Sequence, residues 1–324
     1  MFEIRTDLAL ETREMYKENK QQEIPGVEVE KYEKDIATIT YVKVLDEQGS
    51  QIMGKPKGVY ITIESKSLKQ ADSDIKDKMS KLLAEELVQL VPKKKKFKTL
   101  VVGLGNWDIT PDALGPQVIS KVFVTRHYFE AYGKIEDPTM RQVSAIAPGV
   151  MGTTGIETVD IIKGIVEKTQ PDLVIAVDAL ASRRMQRVYT TIQISDTGIR
   201  PGGGVGNKRK ELSKETLGVP VLAIGVPTVV DAATLTNDTI KLVIEHLCEQ
   251  SEKGSQFYNL LKEISDEDKY ALIRDALEPY GANMIVTTKD IDTIIRNISQ
   301  IIANAINIAI HPGIDLKDVN RYLR

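Results

Sequence analysis

The sequence predicts an α/β protein: a doubly wound, largely parallel sheet flanked by helices, with an N-terminal β-hairpin and helix extension and a C-terminal helical segment. From residue 99 onward, apolar runs of strand length alternate with stretches of helical spacing, the order that builds parallel sheets covered by helices. Before residue 99, two runs rich in β-branched residues lie close together, and near the C-terminus isoleucine recurs along one helical stripe. With 324 residues the chain is long enough to bury a sizeable core.

We predict one domain over residues 8–324. It consists of an N-terminal extension (8–92), a core (97–250) and a C-terminal helical segment (251–324), with no internal repeat.

The extension carries the hairpin and one helix. Residues 37–45 and 58–65 are the β-rich runs, and the connection between them contains Gly and Pro, which indicates a β-hairpin. Residues 71–91 place apolar side chains at helical intervals and stop at Pro92. The lysine run that follows is typical of a solvated connector after a helix, because no arginine accompanies it.

The core alternates strands and helices. Strands are predicted at residues 99–104, 143–146, 173–178, 187–194 and 219–226. Helices are predicted at residues 115–131, from the capping-box pair Thr154 and Glu157 to Pro171, and after Pro227. In the C-terminal segment, residues 289–310 form an amphipathic helix that docks on the body or on a partner subunit.

Composition excludes several classes of function. A net charge of −3 gives no support to nucleic-acid binding. No apolar run approaches the roughly 20 residues that span a bilayer, and the N-terminus lacks the features of a signal peptide, so we expect a cytoplasmic protein without a membrane partner. The single cysteine, Cys248, rules out an intrachain disulfide and a thiolate cluster, and it lies on the apolar face of a predicted helix.

Familiar cofactor and nucleophile motifs are incomplete. Gly103 and Gly105 follow a strand, but Asp108 stands where a dinucleotide fingerprint needs its third glycine. The glycine-rich residues 202–206 lead to Arg209 where a phosphate loop needs Ser or Thr, so we interpret this segment as a loop that could close over a substrate. The chain has no serine elbow, and its three histidines give a metal site no support without excluding one. We therefore predict no cofactor and no metal.

Two carboxylates remain as a candidate catalytic pair. Asp112 follows the first core strand and Asp178 ends the third, and ligands of open α/β sheets bind outside the carboxyl ends of the strands. Each has a structural alternative, since Asp112 could cap a helix and Asp178 could close a strand. If the two carboxyls are close, they cannot both ionise cheaply, so one keeps a proton while the other acts as a base. Such a pair can activate water and protonate a leaving amine.

Several long motifs resemble the germination protease family of endospore-forming bacteria. They lie at residues 103–107, 110–116, 124–127, 147–152, 176–180, 193–199 and 206–213. The resemblance implies an aspartic-type endopeptidase, with Asp112 and Asp178 as its essential aspartates and a fold similar to that of hydrogenase-maturation proteases. It also implies that the substrates are the small acid-soluble DNA-coating proteins of the spore, that the enzyme acts in the spore core or forespore, and that it is a homotetramer without direct nucleic-acid contact.

The resemblance also gives an interpretation of the N-terminus. The family is made as a zymogen that removes its own leader, and residues 6–11 (Thr-Asp-Leu-Ala-Leu-Glu) are similar to the sequence that it cuts after an acidic residue. We therefore predict a propeptide of residues 1–7 and cleavage between Asp7 and Leu8. The alternative is a frayed terminus with a chance likeness.

Two glycine-rich loops are expected to contribute to substrate binding, through Gly149, Gly152, Gly204 and Gly206. Two other functions stay open at this point. One is a metal-dependent peptidase of the hydrogenase-maturation type, and the other is a ligand-binding α/β module whose aspartates only cap helices.

Overall fold

A computed structural model describes residues 6–94, 96–131, 139–202, 209–263, 265, 272–273, 275–276 and 284–322. Its centre is a nine-stranded mixed sheet with the strand order β1-β2-β3-β7-β8-β6-β4-β5, and β9 pairs with β8. The strands are β1 (Val27–Lys34), β2 (Ala37–Val44), β3 (Gly58–Glu64), β4 (Lys98–Gly103), β5 (Gln142–Ile146), β6 (Leu173–Ser182), β7 (Thr191–Ser195), β8 (Val221–Asp231) and β9 (Ile285–Val286).

Helices cover both faces of the sheet. In chain order they are α1 (Ala9–Lys20), α2 (Glu47–Met53), α3 (Ser73–Leu90), α4 (Leu114–Ile119), α5 (Arg126–Ala131), α6 (Met151–Thr154), α7 (Thr158–Thr169), α8 (Lys214–Leu217), α9 (Ala232–Gln250), α10 (Gln256–Glu263), α11 (Ile291–Ile310) and α12 (Leu316–Tyr322). None of the helices in the described part of the chain is long and apolar enough to cross a bilayer.

The sheet has two halves that differ in strand direction. Strands β1, β2, β3 and β7 form the antiparallel half, since each pairs antiparallel with its neighbours. Strands β8, β6, β4 and β5 run parallel to one another and form the parallel half. The halves meet where β7 pairs antiparallel with β8. The N-terminal extension therefore lengthens the sheet of the core.

Three apolar clusters hold these layers together. The largest cluster joins one face of the sheet to α3, α4 and α11. The isoleucine-rich helix α11 therefore docks on the body of the same chain. On the other face, α7 and α8 cover the parallel half, while α1 and α2 cover the antiparallel half.

The α/β class, the hairpin and the helix over residues 71–91 are confirmed, since β2 pairs with β3 and α3 covers Ser73–Leu90. Strand β1, in the charged stretch before the hairpin, was not predicted. Alternation of apolar side chains is weak there because most of β1 is exposed.

Four predicted details are wrong. The helix over residues 115–131 is two short helices, α4 and α5. The capping box does not form, because Gly155 with φ +70° turns the chain after Thr154 and α7 begins at Thr158. Strand β8 continues through Pro227 with a bulge at Thr228, which shifts the register between Leu180 and Ala181 of β6, so α9 begins later than predicted. The face of α9 near Cys248 is not core, since Val243 and Leu247 are exposed.

Candidate active site

The two predicted aspartates follow neighbouring parallel strands. Strands β4 and β6 pair as far as Gly103 and Val177, so Asp178 is the first β6 residue beyond the end of β4. Strand β6 continues to Ser182, which places Asp178 inside a strand rather than at its end. Asp112 lies in a short 3-10 turn, Thr110–Asp112, between β4 and α4. The departure of β4 from the sheet opens the crevice in which ligands of α/β proteins bind.

Glycines let the backbone bring Asp112 to this crevice. At Gly105 the backbone has φ +109°, and a Cβ there would lie 1.9 Å from the carbonyl oxygen of Asp112. A Cβ on Gly115 would lie 2.2 Å from the Leu104 oxygen and 2.6 Å from the Val177 oxygen. The start of α4 is thus packed directly on the ends of β4 and β6. This close packing explains the glycines at positions 103 and 105, which in sequence resemble part of a dinucleotide-binding motif.

Both carboxyls are held in surroundings that disfavour charge. Burial raises the pKa of Asp112 to about 6, although the Asn106 backbone N–H lowers it. Asp178 is 4% exposed. Its burial, followed by the charges of Asp112 and Asp7, raises its pKa well above the usual range, while a hydrogen bond from the Ala179 N–H lowers it. Burial and the neighbouring carboxylates therefore favour the protonated form of Asp178, and burial favours that of Asp112. Asp112 does not cap α4, whose N-cap is Ala113 without a side-chain bond.

A cavity of about 250 Å³ joins these groups. Asp7, Asp112 and Asp178 all line it, together with Gly149 and Gly202 of the two glycine-rich loops. Of the predicted substrate-binding glycines, Gly149 therefore lies at the site. Gly152 lies in α6 and is not among the lining residues, although its neighbour Met151 is. Gly204 and Gly206 lie outside the described residues.

The N-terminal segment enters the cavity as a short extended strand. The Asp7 N–H donates to the Ala181 oxygen at 3.0 Å, and the Ala181 N–H donates back to Asp7 Oδ2 at 2.8 Å. Leu8, on the other side of the predicted cleavage bond, is completely buried. The structure thus brings together the predicted cleavage bond and the predicted aspartate pair, which lie far apart in sequence.

Two further side chains contact the carbonyl between Asp7 and Leu8. Lys55 Nζ lies 2.9 Å and Gln193 Nε2 lies 3.3 Å from the Asp7 oxygen. Gln193 Oε1 also accepts from the Ala9 N–H at 2.8 Å. The sequence alone did not predict a functional role for either residue. Gln193 opens one of the motifs that carry the family resemblance, whereas Lys55 lies in an ordinary Gly/Pro connection with no signal to single it out.

An ion cluster holds α1 to the body beside the site. Glu11 is 1% exposed and accepts from the backbone N–H groups of Arg183 at 2.6 Å and Arg184 at 3.1 Å. Arg187 donates to both Glu14 oxygens, at 2.7 and 2.8 Å, and contacts Glu11 at 3.4 Å. Thr6 Oγ1 also donates to Glu11. The Glu11 carboxylate of α1, which follows the predicted cleavage bond, therefore also holds Thr6, which precedes it.

In the part of the chain that the structure describes, no group of three or more His, Cys, Asp or Glu side chains could hold a metal ion. His311 is the most buried of the three histidines, and its Nδ1 accepts a hydrogen bond from the Arg141 backbone N–H at 3.1 Å.

The chain is similar to known proteases over its whole length. A family model described as germination protease matches residues 5–261 and 248–323. The germination protease of Caldanaerobacter subterraneus subsp. tengcongensis is 52% identical over 321 residues, covering 99% of this chain and 98% of that protein. Those of Clostridium tetani and Bacillus cereus are 50% and 44% identical, each covering 99% of this chain and 99% and 97% of the relatives.

Among solved structures, the hydrogenase maturation protease HycI from Thermococcus kodakarensis KOD1 aligns with 60% of this chain and 97% of its own. The two are 19% identical and the TM-score is 0.28, so no conclusion on the site or the fold is drawn from this similarity.

Proposed function

This chain belongs to the germination protease family and has a protease role in spore germination, and we propose that it acts as an aspartic-type endopeptidase made as a self-processing zymogen. One observation carries the proposal. The Asp7–Leu8 bond, which resembles the family's cleavage sequence, lies beside the cavity that Asp7, Asp112 and Asp178 line together.

The titration of the two aspartates supports a division of roles. Asp112, with a pKa raised to about 6, is ionised at neutral pH and takes a proton from the attacking water. The water oxygen bonds to the Asp7 carbonyl carbon, and the carbonyl π electrons move to its oxygen. When the C–N bond breaks, the electrons on the oxygen re-form the C=O bond and Asp178 gives its proton to the Leu8 nitrogen. Asp112 then passes its proton to Asp178, directly or through water, and both side chains are restored.

The preference for an acidic residue before the cut has a physical basis in this site. The Asp7 carboxylate is received by the Ala181 N–H at 2.8 Å, and a bond from an amide to a charged acceptor is stronger than one to a neutral group. The completely buried Leu8 shows that the next position accepts an apolar side chain. A substrate peptide that docks as the leader does would therefore present an acidic residue followed by an apolar one.

The wider setting follows from the family. We propose that the substrates are small acid-soluble spore proteins, that the enzyme works in the cytoplasm of the forespore or spore core, and that it is a homotetramer that contacts neither nucleic acid nor membrane directly. Incubation with such a protein, with mapping of the first bond cut, tests the substrate. Sedimentation or light scattering of the purified chain tests the tetramer.

Self-processing is tested with the full-length chain and with Asp112→Asn and Asp178→Asn. After incubation at several pH values from mildly acidic to neutral, intact mass and N-terminal sequencing should show a wild-type product that begins at Leu8. Each variant should cut at least about 10³-fold more slowly, because each lacks a proton-transfer group. Circular dichroism provides the folding control. A mature form that begins elsewhere, or full activity in either variant, would falsify the proposal.

A further inference from the structure

Among the described residues, Lys55 and Gln193 donate from their side chains to the Asp7 carbonyl, and both come from the antiparallel half. Lys55 lies in the connection between α2 and β3, and Gln193 is the central residue of β7. Catalysis of amide hydrolysis requires donors aimed at the carbonyl oxygen, because that oxygen gains negative charge in the transition state. Neither Asp112 nor Asp178 performs this task in the scheme above. A donor set for the oxygen is therefore the part of the mechanism that the aspartate pair leaves open.

The strand register explains how donors and acids can reach opposite sides of one peptide bond. Asp178 of β6 and Gln193 of β7 both pair with Gly225 of β8. Residues in register on neighbouring strands point to the same face, and two strand spacings separate these side chains by about 10 Å at the backbone. Gly225 has no side chain between them, and the Leu180 side chain of β6 lies over it. Asp178 and Gln193 therefore lie on one face of the sheet, on either side of Leu180.

Gln193 also fixes the register of that peptide. Its amide donates to the Asp7 oxygen at 3.3 Å and accepts from the Ala9 N–H at 2.8 Å, so one side chain bridges the residues on either side of Leu8. Gln193 is 8% exposed, and it is held among strands of the sheet. A peptide shifted by one residue would lose both bonds, because its carbonyl and N–H would exchange positions.

We propose that Lys55 and Gln193 form the oxyanion-binding site of this enzyme, holding the carbonyl of the bond to be cut and stabilising the charge that develops on its oxygen. This inference rests on the proposed cleavage at Asp7–Leu8. Lys55 is the stronger contributor as an ammonium, since a charged donor outweighs a neutral amide. Burial lowers the pKa of Lys55, while the carboxylates of Asp7, Glu11 and Glu211 raise it and Arg200 lowers it further.

The test compares self-cleavage of the full-length chain in four forms: wild type, Lys55→Met, Lys55→Arg and Lys57→Met. Lys57 is a matched control, because it lies two residues away in the same connection and its side chain is 55% exposed. Removing one oxyanion donor costs about 10²–10³-fold in rate. Lys55→Met should therefore slow cleavage by about that factor, Lys55→Arg should recover part of it, and Lys57→Met should cut at the wild-type rate.

Gln193→Glu is the second variant, and it keeps the acceptor for the Ala9 N–H while it loses the donor for the Asp7 oxygen. We expect cleavage to be slowed at least about 10-fold, with the cut still at Asp7–Leu8. This variant tests the inference even if Lys55→Met does not fold.

A docking role for Lys55 is separated from an oxyanion role by hydrogen exchange. The Asp7 and Ala9 amides donate to Ala181 and Gln193, so their exchange reports whether the leader is seated. If Lys55 stabilises the oxyanion, these amides should stay protected from hydrogen exchange in Lys55→Met while the rate of cleavage falls. The wild-type rate should also decline at alkaline pH as Lys55 loses its proton, and Lys55→Arg should resist that decline.

Three results would overturn the inference. Cleavage of Lys55→Met and Gln193→Glu within threefold of wild type would remove the oxyanion site and leave the aspartate mechanism standing. Loss of amide protection in step with the loss of rate would reduce Lys55 to a docking residue. A wild-type chain that does not cut after Asp7 would overturn the proposed self-processing and this inference together.

Discussion

The two halves of the sheet carry acidic groups that behave in opposite ways. In the parallel half, burial raises the pKa of Asp112 to about 6 and that of Asp178 well above its usual range, and no cation of the described residues lowers either pKa. Beside the antiparallel half, burial also acts to raise the pKa of Glu14, but the hydrogen bonds and charge of Arg187 outweigh it and the pKa is lowered. A buried carboxyl without a cation is suited to proton transfer, while a paired carboxylate is suited to holding a helix in place.

The largest effect is expected in the parallel half, where backbone packing positions Asp112. In Gly115→Ala the new Cβ would lie within 2.2–2.6 Å of Leu104 and Val177 backbone atoms that cannot move independently. We expect the free energy of unfolding to fall by about 3 kcal/mol or more, measured by denaturant titration. Gly164→Ala is the matched control, since its Cβ would meet nothing within 4 Å on α7, and it should stabilise by about 0.5–1 kcal/mol. A loss under about 1 kcal/mol at Gly115 would contradict the role assigned to the glycines.

The next effect concerns the ion cluster of the antiparallel half. Arg187→Met leaves Glu11, 1% exposed, and Glu14 without their shared cation. We expect a loss of about 2–3 kcal/mol in unfolding free energy, below the range for fully buried pairs because Glu14 reaches solvent. Arg184→Met removes the pair with Glu18, whose side chains are 39% and 49% exposed, and a longer contact of 3.7 Å with Glu14, and it should cost less than about 1 kcal/mol. Equal losses in the two variants would show that burial does not distinguish these pairs.

The smallest effect is a dependence of stability on pH at Asp112. Its pKa is higher in the folded state, about 6, than the value near 3.9 of an unfolded chain. The folded state is therefore favoured most below pH 4, and this contribution is lost as the pH rises through 6. The full shift corresponds to about 3 kcal/mol, and partial exposure of the carboxyl reduces this contribution. Asp112→Asn should match wild type in stability near pH 3.5 and exceed it by about 1–2 kcal/mol at pH 7.5.

Asp108→Asn, in the same loop but exposed, is the control and should show no such pH-dependent gain. If Asp112 were instead a helix cap, Asp112→Asn would not become more stable than wild type as the pH rises. Thermal unfolding of the three proteins at both pH values gives the answer.

Local patterns in the sequence were sufficient to predict most of the parallel half. Continuous apolar runs predicted β4, β6 and β8, because strands buried on both faces need apolar side chains throughout. Position after a strand was enough to propose Asp112 and Asp178. The helix ends were less predictable, since Gly155 with a positive φ, rather than the Thr154 and Glu157 pair, decides where α7 begins.

Contacts across the boundary between the halves could not be predicted from local pattern. Lys55 and Gln193 meet the Asp7 carbonyl only because β3, β7 and β8 pair in one register, and that register is set by tertiary packing. The Ala181 N–H faces Asp7 beside the bulge at Thr228 of β8, and the sequence predicts that β6 stops at Asp178. Side chains whose role depends on distant strands carry no distinctive local pattern.

The shared Glu11 carboxylate has a kinetic consequence. If the bond after Asp7 is cut as proposed, α1 is still held by the bonds of Glu11 and Glu14 to Arg183, Arg184 and Arg187, whereas the described part of the short fragment, Thr6 and Asp7, is held by hydrogen bonds such as that of Asp7 to Ala181. The two new chain ends should therefore separate unequally, with the short fragment diffusing away and the helix staying. Release of the short fragment is then a first-order dissociation, whose rate does not depend on protein concentration. Until the fragment has dissociated, it would occupy the site and inhibit the cleaved chain.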